Sequence, residues 1–313
     1  MPHTLLQAKL HTPRLEQPLI ERPALIRRID SGIAGAATLV IAPAGYGKTT
    51  LVAQWAEQAQ LPVAWLALDA GDNDLAQFLT AMVAAIQTLY PSTCSLLSSM
   101  LDHSPLPDTG RLALLLSNEI DLLPNRFVLV LDDAHVATDP AVQRLLGELL
   151  HYAPRRMHLF LISRRKPALA LSRLRANRRL TEISLQDLRF TEQETEALLA
   201  QKWGGLCAPE CAALYNRSEG WVAGLHLMTL SSPMDSLPAA AEEVGTGANQ
   251  YVAEYLLEQV LLQQPPLVRN FLLKSSILER MTPALAEAVT EMSSERAGIS
   301  LPEVARKEQF INA

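Results

Sequence analysis

The chain has little cysteine and no hydrophobic run of membrane length. Three cysteines, Cys94, Cys207 and Cys211, occur among 313 residues. Their number is odd, and the spacing of the last two fits neither a CxxC redox pair nor a paired zinc knuckle, so we interpret all three as small apolar side chains. No apolar stretch reaches the ~18 to 20 residues that span a bilayer, and residues 1–18 lack the hydrophobic core of a signal peptide. These absences predict a cytoplasmic protein that makes no membrane contact.

Positive charge is also scarce. The chain carries 27 Lys and Arg against 33 Asp and Glu, a net charge of −6. Phosphate backbones require clustered Lys and Arg, so this balance argues against a nucleic-acid surface along the whole chain. The basic runs at 155–156, 164–166 and 178–179 are short and lie beside predicted strands, which favours solvated loop charges. A length of 313 residues with 49% hydrophobic and 19% charged residues is typical of a globular protein with two or three domains.

Five strand-like apolar runs alternate with helical patterns before residue 190. Stripes with helical spacing lie within 51–59, 75–89, 109–123 and 139–152. The strand-like runs are 38–42, 62–68, 127–133, 157–164 and 180–185. The alternation predicts right-handed crossovers and an α/β fold, a parallel sheet of about five strands flanked by helices. The continuous apolar run before Asp132 is typical of a strand covered on both faces.

The pattern changes after about residue 190. Thr191 and Glu194 form a capping box that starts a helix, and helical stripes return near 221, 251–262 and 267–278. Residues 231–247 are rich in small and helix-breaking residues, which is typical of a linker. We therefore predict three parts: a nucleotide-binding domain at 1–190, a small helical lid at 191–235 and a helical, winged-helix-like region at 236–313. No repeat with a period of 20 to 50 residues is evident.

A glycine-rich turn joins the first strand to the first helical stripe. A phosphate-binding loop requires glycines where the backbone approaches the anion, a lysine that reaches the β and γ phosphates, and a hydroxyl that holds Mg²⁺. Ala42 stands where the usual pattern begins with glycine, but the strand–turn–helix context is the one that the chemistry requires. We predict that ATP or ADP is bound by Pro43, Ala44, Gly45, Tyr46, Gly47, Lys48, Thr49 and Thr50, with Thr49 as a metal ligand.

Two further strands end in polar side chains. Asp132 and Asp133 follow the most apolar strand, where one carboxylate can bind Mg²⁺ and the second can activate water. We assign Asp132 to the metal and Asp133 to the base. Arg164 ends the next strand and is the expected sensor of the γ phosphate. These three residues and Lys48 are the predicted catalytic set.

Two other clusters allow a functional and a structural interpretation. The carboxylates between Asp69 and Asp74 lack the glycine and the glutamate of a calcium-binding EF-hand loop, so helix capping explains them better. His135 follows the acidic pair and either contacts nucleotide or orders the loop.

Several separated motifs together resemble one family. They are LLQAKLHTP with LIERPALIRRID, PAGYGKTTL, WLALDAGDND, VLVLDDAH, LFLISR, DLRFTEQE, SEGWVAGLHLMTL and YVAEYLLEQVL with FLLKSSILERM. The chain is similar over about residues 6–290 to the MalT-like, LuxR-type ATP-dependent transcriptional activators, a group of STAND P-loop ATPases. Alanine at position 42 is common in that group.

The resemblance implies further roles and a switch. Arg22 would lie near the adenine, and Gly220 with Trp221 would belong to the lid that senses the nucleotide. Family members are held as closed monomers by ADP, and they self-associate when ATP and an inducer are bound. The family's sensor repeat and DNA-binding helix-turn-helix do not follow here, so we expect no specific DNA binding by this chain alone.

Two functions from different classes remain open. The first is a slow Mg²⁺-dependent ATPase that acts as the switch module of a transcriptional regulator. The second is a nucleotide-binding interaction module that scarcely hydrolyses ATP and associates with a full-length relative. A motor ATPase or a P-loop kinase is disfavoured, because neither an arginine-finger motif nor an acceptor-substrate domain is evident.

Overall fold

A computed structural model of the chain describes residues 7–15, 19–101, 106–203, 208–231, 248–264, 266–276 and 285. The chain divides into two compact units, Met1–Arg189 and Phe190–Ala313. The predicted linker and the sequence after 276 lie mostly outside the described residues, as does Cys207.

The first unit is built on one five-stranded sheet whose paired strands are all parallel. The strands are β1 (Ala37–Ile41), β2 (Val63–Ala67), β3 (Phe127–Asp132), β4 (Met157–Ser163) and β5 (Leu180–Ile183). Their spatial order is β2-β3-β4-β1-β5. The predicted fold class is confirmed, and β4 lies between the strand that precedes the glycine-rich turn and the strand that carries the acidic pair.

Helices connect these strands. The helices of the first unit are α1 (Pro23–Gly32), α2 (Lys48–Gln58), α3 (Leu75–Gln87), α4 (Ser95–Leu101), α5 (Thr109–Asp121), α6 (Pro140–His151), α7 (Ser172–Ala176) and α8 (Leu185–Leu188). Short 3-10 helices occur at Gln7–Leu10, Ala70–Asp72 and Ala134–Val136.

The core lies where the strands and helices bury their apolar faces. Every residue of β3 and β4 is buried, as expected of parallel strands covered on both faces. On α2, Trp55 stacks on Phe160 of β4 with ring centroids 5.1 Å apart, which fixes this helix on the sheet. Cys94 is buried, and burial raises the pKa of its thiol to about 11, consistent with the apolar interpretation.

A buried polar contact joins β1 to β4. His158 is fully buried between two partners, the Thr38 hydroxyl 2.9 Å from Nε2 and the Gly35 carbonyl 3.2 Å from Nδ1. Burial lowers the pKa of His158 to about 4, so the imidazole is neutral near pH 7. A neutral ring can donate from Nδ1 and accept at Nε2, and this satisfies both nitrogens.

The acidic cluster after β2 caps helices, as the sequence predicts. Asp74 Oδ1 accepts the amides of Ala76 and Gln77, each at 3.0 Å, at the start of α3. Asp69 caps the 3-10 helix that follows β2, and Asp72 completes a capping box. Lys9 bridges the Asp69 and Asp72 carboxylates at 2.8 and 2.7 Å, which fixes the N-terminal segment beside β2.

Three parts of the first unit differ from the sequence prediction. Helix α1 was not predicted, although Pro23 stands at its first position, which proline favours. Strand β5 ends at Ile183 rather than at residue 185, because Ser184 and Asp187 form a capping box that starts α8. The short helices α4 and α7 carry too few residues to show a period.

The elements described in the second unit are helices. Its helices are α9 (Glu192–Trp203), α10 (Ala208–Ser218), α11 (Val222–Ser231), α12 (Ala248–Leu256) and α13 (Pro266–Ser275). The stripe expected to form one helix at 251–262 changes to a π-helical turn at Leu257–Leu261. Cys211 is buried.

Candidate functional site

The glycine-rich turn between β1 and α2 has the backbone of an anion-binding loop. Gly45 and Gly47 take φ values of 82° and 70°, in the left-handed region. A β-carbon on Gly47 would meet no atom within 4 Å, so its conformation rather than lack of space requires glycine. Gly47 is the N-cap of α2 and provides no capping side chain. The first amides of this helix are therefore available to an anion, which the helix dipole also favours.

Lys48 is the first residue of α2. Its side chain lies over the loop, and Nζ donates to the Pro43 carbonyl at 2.8 Å. Burial, and then the positive charge of Arg164, lower the pKa of Lys48 to about 8. Two cationic side chains thus lie close together in a partly desolvated site, an arrangement that a bound polyanion would stabilise.

Thr49 and Asp132 meet across the site. The Thr49 hydroxyl donates to Asp132 Oδ1 at 3.1 Å, which brings α2 and the end of β3 together. Burial, and then the adjacent Asp133 charge, raise the pKa of Asp132 to about 6. A hydroxyl oxygen beside a buried carboxylate fits the oxygen ligands that Mg²⁺ takes in nucleotide sites, where phosphates and water complete the shell. The described residues contain no cluster of three or more His, Cys, Asp or Glu suited to holding a metal on its own.

Asp133 leaves β3 in an unusual conformation. Its φ of 53° and ψ of 35° are left-handed, and its amide donates to Asp132 Oδ1 at 2.9 Å. The Asp133 carboxylate is 47% exposed, whereas Asp132 is buried. Left-handed conformations of non-glycine residues are uncommon and concentrate at functional sites.

His135 lies beside Asp133 in the 3-10 turn that follows. Nδ1 is 3.5 Å from Asp133 Oδ1, and this buried nitrogen makes no hydrogen bond in the structure. Burial lowers the pKa of His135 to about 4, and the Asp133 charge opposes that shift. The imidazole is therefore neutral near pH 7. The sequence left the role of His135 open, since its contact with Asp133 depends on the shape of the turn.

The end of β4 brings basic residues to the site. The Ala42 amide donates to the Ser163 carbonyl at 3.3 Å, so Arg164 leaves the sheet next to the loop. Arg165 Nη2 donates to the His135 carbonyl at 3.4 Å. The structure thus brings two arginines beside residues 132–136, which we call the acidic turn. Arg164 was predicted from the sequence, and Arg165 was not.

Arg22 has a different environment. Its guanidinium is buried and donates to three successive backbone carbonyls, those of Asp187, Leu188 and Arg189, at 3.1, 2.8 and 3.0 Å. These carbonyls end α8, and a cation there also matches the helix dipole. No local pattern predicts this contact, which joins residues 165 to 167 positions apart.

The remaining predicted site residues lie in the loop, in the first turn of α2 and in the second unit. Ala44 and Tyr46 are buried in the loop, and Thr50 is half-buried in the first turn of α2. In the second unit, Gly220 has a φ of 73°, and its carbonyl accepts the Phe190 amide at 3.0 Å. Trp221 packs edge-on against Tyr255 of α12, with centroids 5.7 Å apart.

Comparisons with known proteins match two parts of the chain to family profiles. A profile of the AAA ATPase domain family matches residues 23–162, and a profile of the MalT winged helix domain matches residues 257–313. The HTH-type transcriptional regulator MalT of Yersinia pestis (strain Pestoides F) is 32% identical over 289 residues, which are 91% of this chain and 32% of that protein. The chain thus spans about a third of the length of the curated relatives it matches.

Two solved structures share the fold. A STAND protein with a tetratricopeptide repeat sensor from Pyrococcus horikoshii superposes with a TM-score of 0.53 at 16% identity, over 95% of this chain and 40% of that one. A Walker-type ATPase of Pyrococcus abyssi gives a TM-score of 0.54 at 11% identity, over 93% of this chain and 88% of that one. None of the described helices is both long enough and apolar enough to cross a membrane. By its sequence matches and its fold, the chain belongs to the MalT-like P-loop ATPases.

Proposed function

We propose that the chain is the nucleotide switch module of a MalT-like transcriptional regulator, which binds ATP or ADP with Mg²⁺ and hydrolyses ATP slowly. One observation carries the proposal. Buried Lys48 follows the glycine turn and lies within electrostatic reach of Asp132, whose Oδ1 accepts a bond from the Thr49 hydroxyl at 3.1 Å. The arrangement supplies positive groups for phosphates and oxygen ligands for a cation.

Binding would change the contacts of Lys48. Its ammonium, now on the Pro43 carbonyl, would turn to the β and γ phosphates, whose negative charge offsets the burial that lowers its pKa. Thr49 and Asp132 would hold Mg²⁺, and the ion would neutralise charge on the phosphates. We assign the sensing of the γ phosphate to Arg164, which already lies close enough to influence Lys48.

Hydrolysis requires a base near the γ phosphate. The half-exposed carboxylate of Asp133 is our assignment. In this step the oxygen of water bonds to the γ phosphorus, and the bond from phosphorus to the β,γ-bridging oxygen breaks. The electron pair leaves on ADP, and the proton of the water passes to Asp133.

The output of the module is proposed to be conformational. A γ phosphate held at the loop would be lost on hydrolysis, and the loss of its contacts would bias a two-state arrangement. Self-association of ATP-bound chains, or association with a full-length regulator, would then transmit the signal. We propose that it acts in the cytoplasm.

Calorimetric titration with ATP and ADP, with and without Mg²⁺, tests the binding proposal. We expect Lys48→Ala to weaken nucleotide binding by about 100-fold, roughly 3 kcal/mol, because a charge-assisted contact to phosphate is lost. Lys274→Ala on α13 is the matched control, since that lysine is exposed and belongs to the second unit. Absence of binding by the wild-type chain, or equal binding by Lys48→Ala, would overturn the proposal.

Phosphate release under single-turnover conditions separates the slow ATPase from the pure binder. We expect Asp133→Asn to bind ATP as the wild type does and to lose about 100-fold or more in rate, because asparagine cannot accept the proton. If wild type and Asp133→Asn release phosphate equally, at the rate of a buffer blank, the binding module is the better description.

A further inference from the structure

The acidic turn contains a second polar group that the proposed mechanism has not used. His135 lies two residues after Asp133, and its side chain is 17% exposed. Nδ1 is buried, makes no hydrogen bond in the structure, and lies 3.5 Å from Asp133 Oδ1. A buried polar nitrogen without a partner is uncommon in native proteins, and it needs an explanation.

The carboxylate that faces this nitrogen is positioned by its backbone. The left-handed φ and ψ of Asp133 and the bond from its amide to Asp132 Oδ1 hold the α-carbon at one place. The side chain is still half-exposed, and rotation about its own bonds would turn the carboxylate. A general base must be held within hydrogen-bond reach of the water that it activates.

The backbone of His135 is itself held in place. The His135 carbonyl accepts a bond from Arg165 Nη2 at 3.4 Å, and Arg165 N donates to Ser163 Oγ at the end of β4 at 3.3 Å. The turn therefore has a contact with the neighbouring strand. A neutral imidazole carries one proton, and the carboxylate acceptor beside Nδ1 favours the tautomer with the proton on that nitrogen.

We propose that His135 is a positioning residue for Asp133, which it holds by a hydrogen bond from Nδ1 in the orientation that accepts a proton from the attacking water. The inference rests on the proposed hydrolysis of ATP and assigns a role within the same site. A shortening of the 3.5 Å separation by about half an ångström forms the bond, and catalytic hydrogen bonds are often long before substrate is bound.

Three substitutions of His135 test the proposal. His135→Ala removes the donor, and we expect kcat to fall about 10- to 100-fold while the affinity for ATP is unchanged, a smaller loss than removal of the base itself. His135→Asn places an amide donor near the position of Nδ1 and is expected to restore most of the rate. His135→Gln places its amide farther along the side chain, nearer the position of Nε2, and should remain as slow as His135→Ala.

A double-substitution cycle gives a readout that a merely structural role would not produce. If His135 acts through Asp133, then His135→Ala has no further effect on kcat in an Asp133→Asn background. Calorimetric affinity for ATP and the thermal unfolding midpoint are measured on each variant of the full chain. The Asn and Gln variants retain a polar side chain, so a folding defect confined to His135→Ala does not prevent the comparison.

The possible results distinguish a failure of the His135 role from a failure of the proposed function. Three results would overturn the role of His135 and leave the proposed hydrolysis intact. They are an unchanged kcat in His135→Ala when the wild type hydrolyses ATP, equal rates in the Asn and Gln variants, and a loss in His135→Ala that adds to the loss in Asp133→Asn. A wild-type chain that binds ATP without hydrolysing it overturns this role together with the proposed hydrolysis. A chain that binds no nucleotide overturns the proposed function as a whole.

Discussion

At the scale of single residues, the site combines charges that are unfavourable without a ligand. Asp132 is a buried carboxylate beside a second one, and its pKa is raised to about 6. Lys48 is a buried ammonium near Arg164, and its pKa is lowered to about 8. Binding sites often retain such groups, because a ligand of complementary charge recovers the free energy that burial costs.

Asp132→Asn should therefore stabilise the chain when no ligand is bound. The folded-state pKa of Asp132 lies above its unfolded value, so this carboxyl stabilises the fold fully below about pH 4 and loses that contribution as the pH rises through about 6. Asparagine does not titrate. We expect the variant to match the wild type near pH 4 and to gain about 2 to 3 kcal/mol in the free energy of unfolding at pH 7.

Urea denaturation across this pH range measures the difference. The difference in the free energy of unfolding between variant and wild type isolates the effect of Asp132. His135 and His158 have lowered pKa values, so they destabilise the fold on acidification, but they do so in both proteins. Asp74→Asn serves as the control, since asparagine caps a helix as well as aspartate does. A variant less stable than the wild type at pH 7 would contradict the assignment, and the same variant should lose its Mg²⁺-dependent nucleotide affinity.

At the scale of elements, α1 connects the loop helix to the end of the first unit. Trp55 Nε1 of α2 donates to Asp30 Oδ1 of α1 at 2.7 Å. Before α1, Arg22 donates to the carbonyls that end α8. On α1, Arg28 pairs with Asp187 Oδ1 at 2.5 Å. These contacts join α2 to residues 187–189, immediately before the second unit begins.

Arg22→Met should destabilise the nucleotide-free chain by about 2 to 4 kcal/mol, because buried carbonyls lose a charged donor. Arg22→Lys should recover part of this loss, since one ammonium cannot reproduce the planar set of donors. Arg27→Met is the matched control, because Arg27 is an exposed arginine of α1, the helix that follows Arg22. Thermal unfolding without nucleotide provides the measurement.

The adenine contact suggested by the family resemblance has a separate readout. If Arg22 contacts the base, Arg22→Met should reduce the preference for ATP over GTP in calorimetric titrations. In the separate test by thermal unfolding, equal stability of Arg22→Met and Arg27→Met would refute the stabilising contact of Arg22 with the carbonyls that end α8.

At the scale of the whole molecule, the proposed nucleotide and Mg²⁺ would join two segments that are distant in sequence. The loop and α2 supply residues 43–50, and the end of β3 supplies Asp132 and Asp133. The contact between Thr49 and Asp132 is made across 83 positions. A ligand held by both segments stabilises them together, by about 2.7 kcal/mol when its concentration is 100 times the dissociation constant.

Hydrogen exchange with and without Mg²⁺ and ADP should show this coupling. We expect slower exchange at residues 42–51 and 127–136 when the ligand is present, and no such protection in Lys48→Ala, because the phosphates would bridge the loop and the acidic turn. Protection that persists in Lys48→Ala, or protection limited to the second unit, would contradict the placement of the site.

Much of the fold could be predicted because its signals are local. The five apolar runs lie within a few residues of the observed strands, and the strand–turn–helix context located the loop before Lys48. Helix α1 was missed, since its apolar residues are flanked by charges, and β5 was predicted too long, since the capping box at Ser184 overlaps the end of the apolar run.

Motif spacing and hydrophobic period were therefore enough to predict a parallel P-loop sheet and to select Lys48, Thr49, Asp132 and Asp133 as its candidate site residues. Long-range packing sets the carbonyl contacts of Arg22, and the shape of the folded turn sets the distance between His135 and Asp133. The physical reason is that a side chain's partners depend on how the folded backbone turns and packs. Period and composition describe only neighbours along the chain.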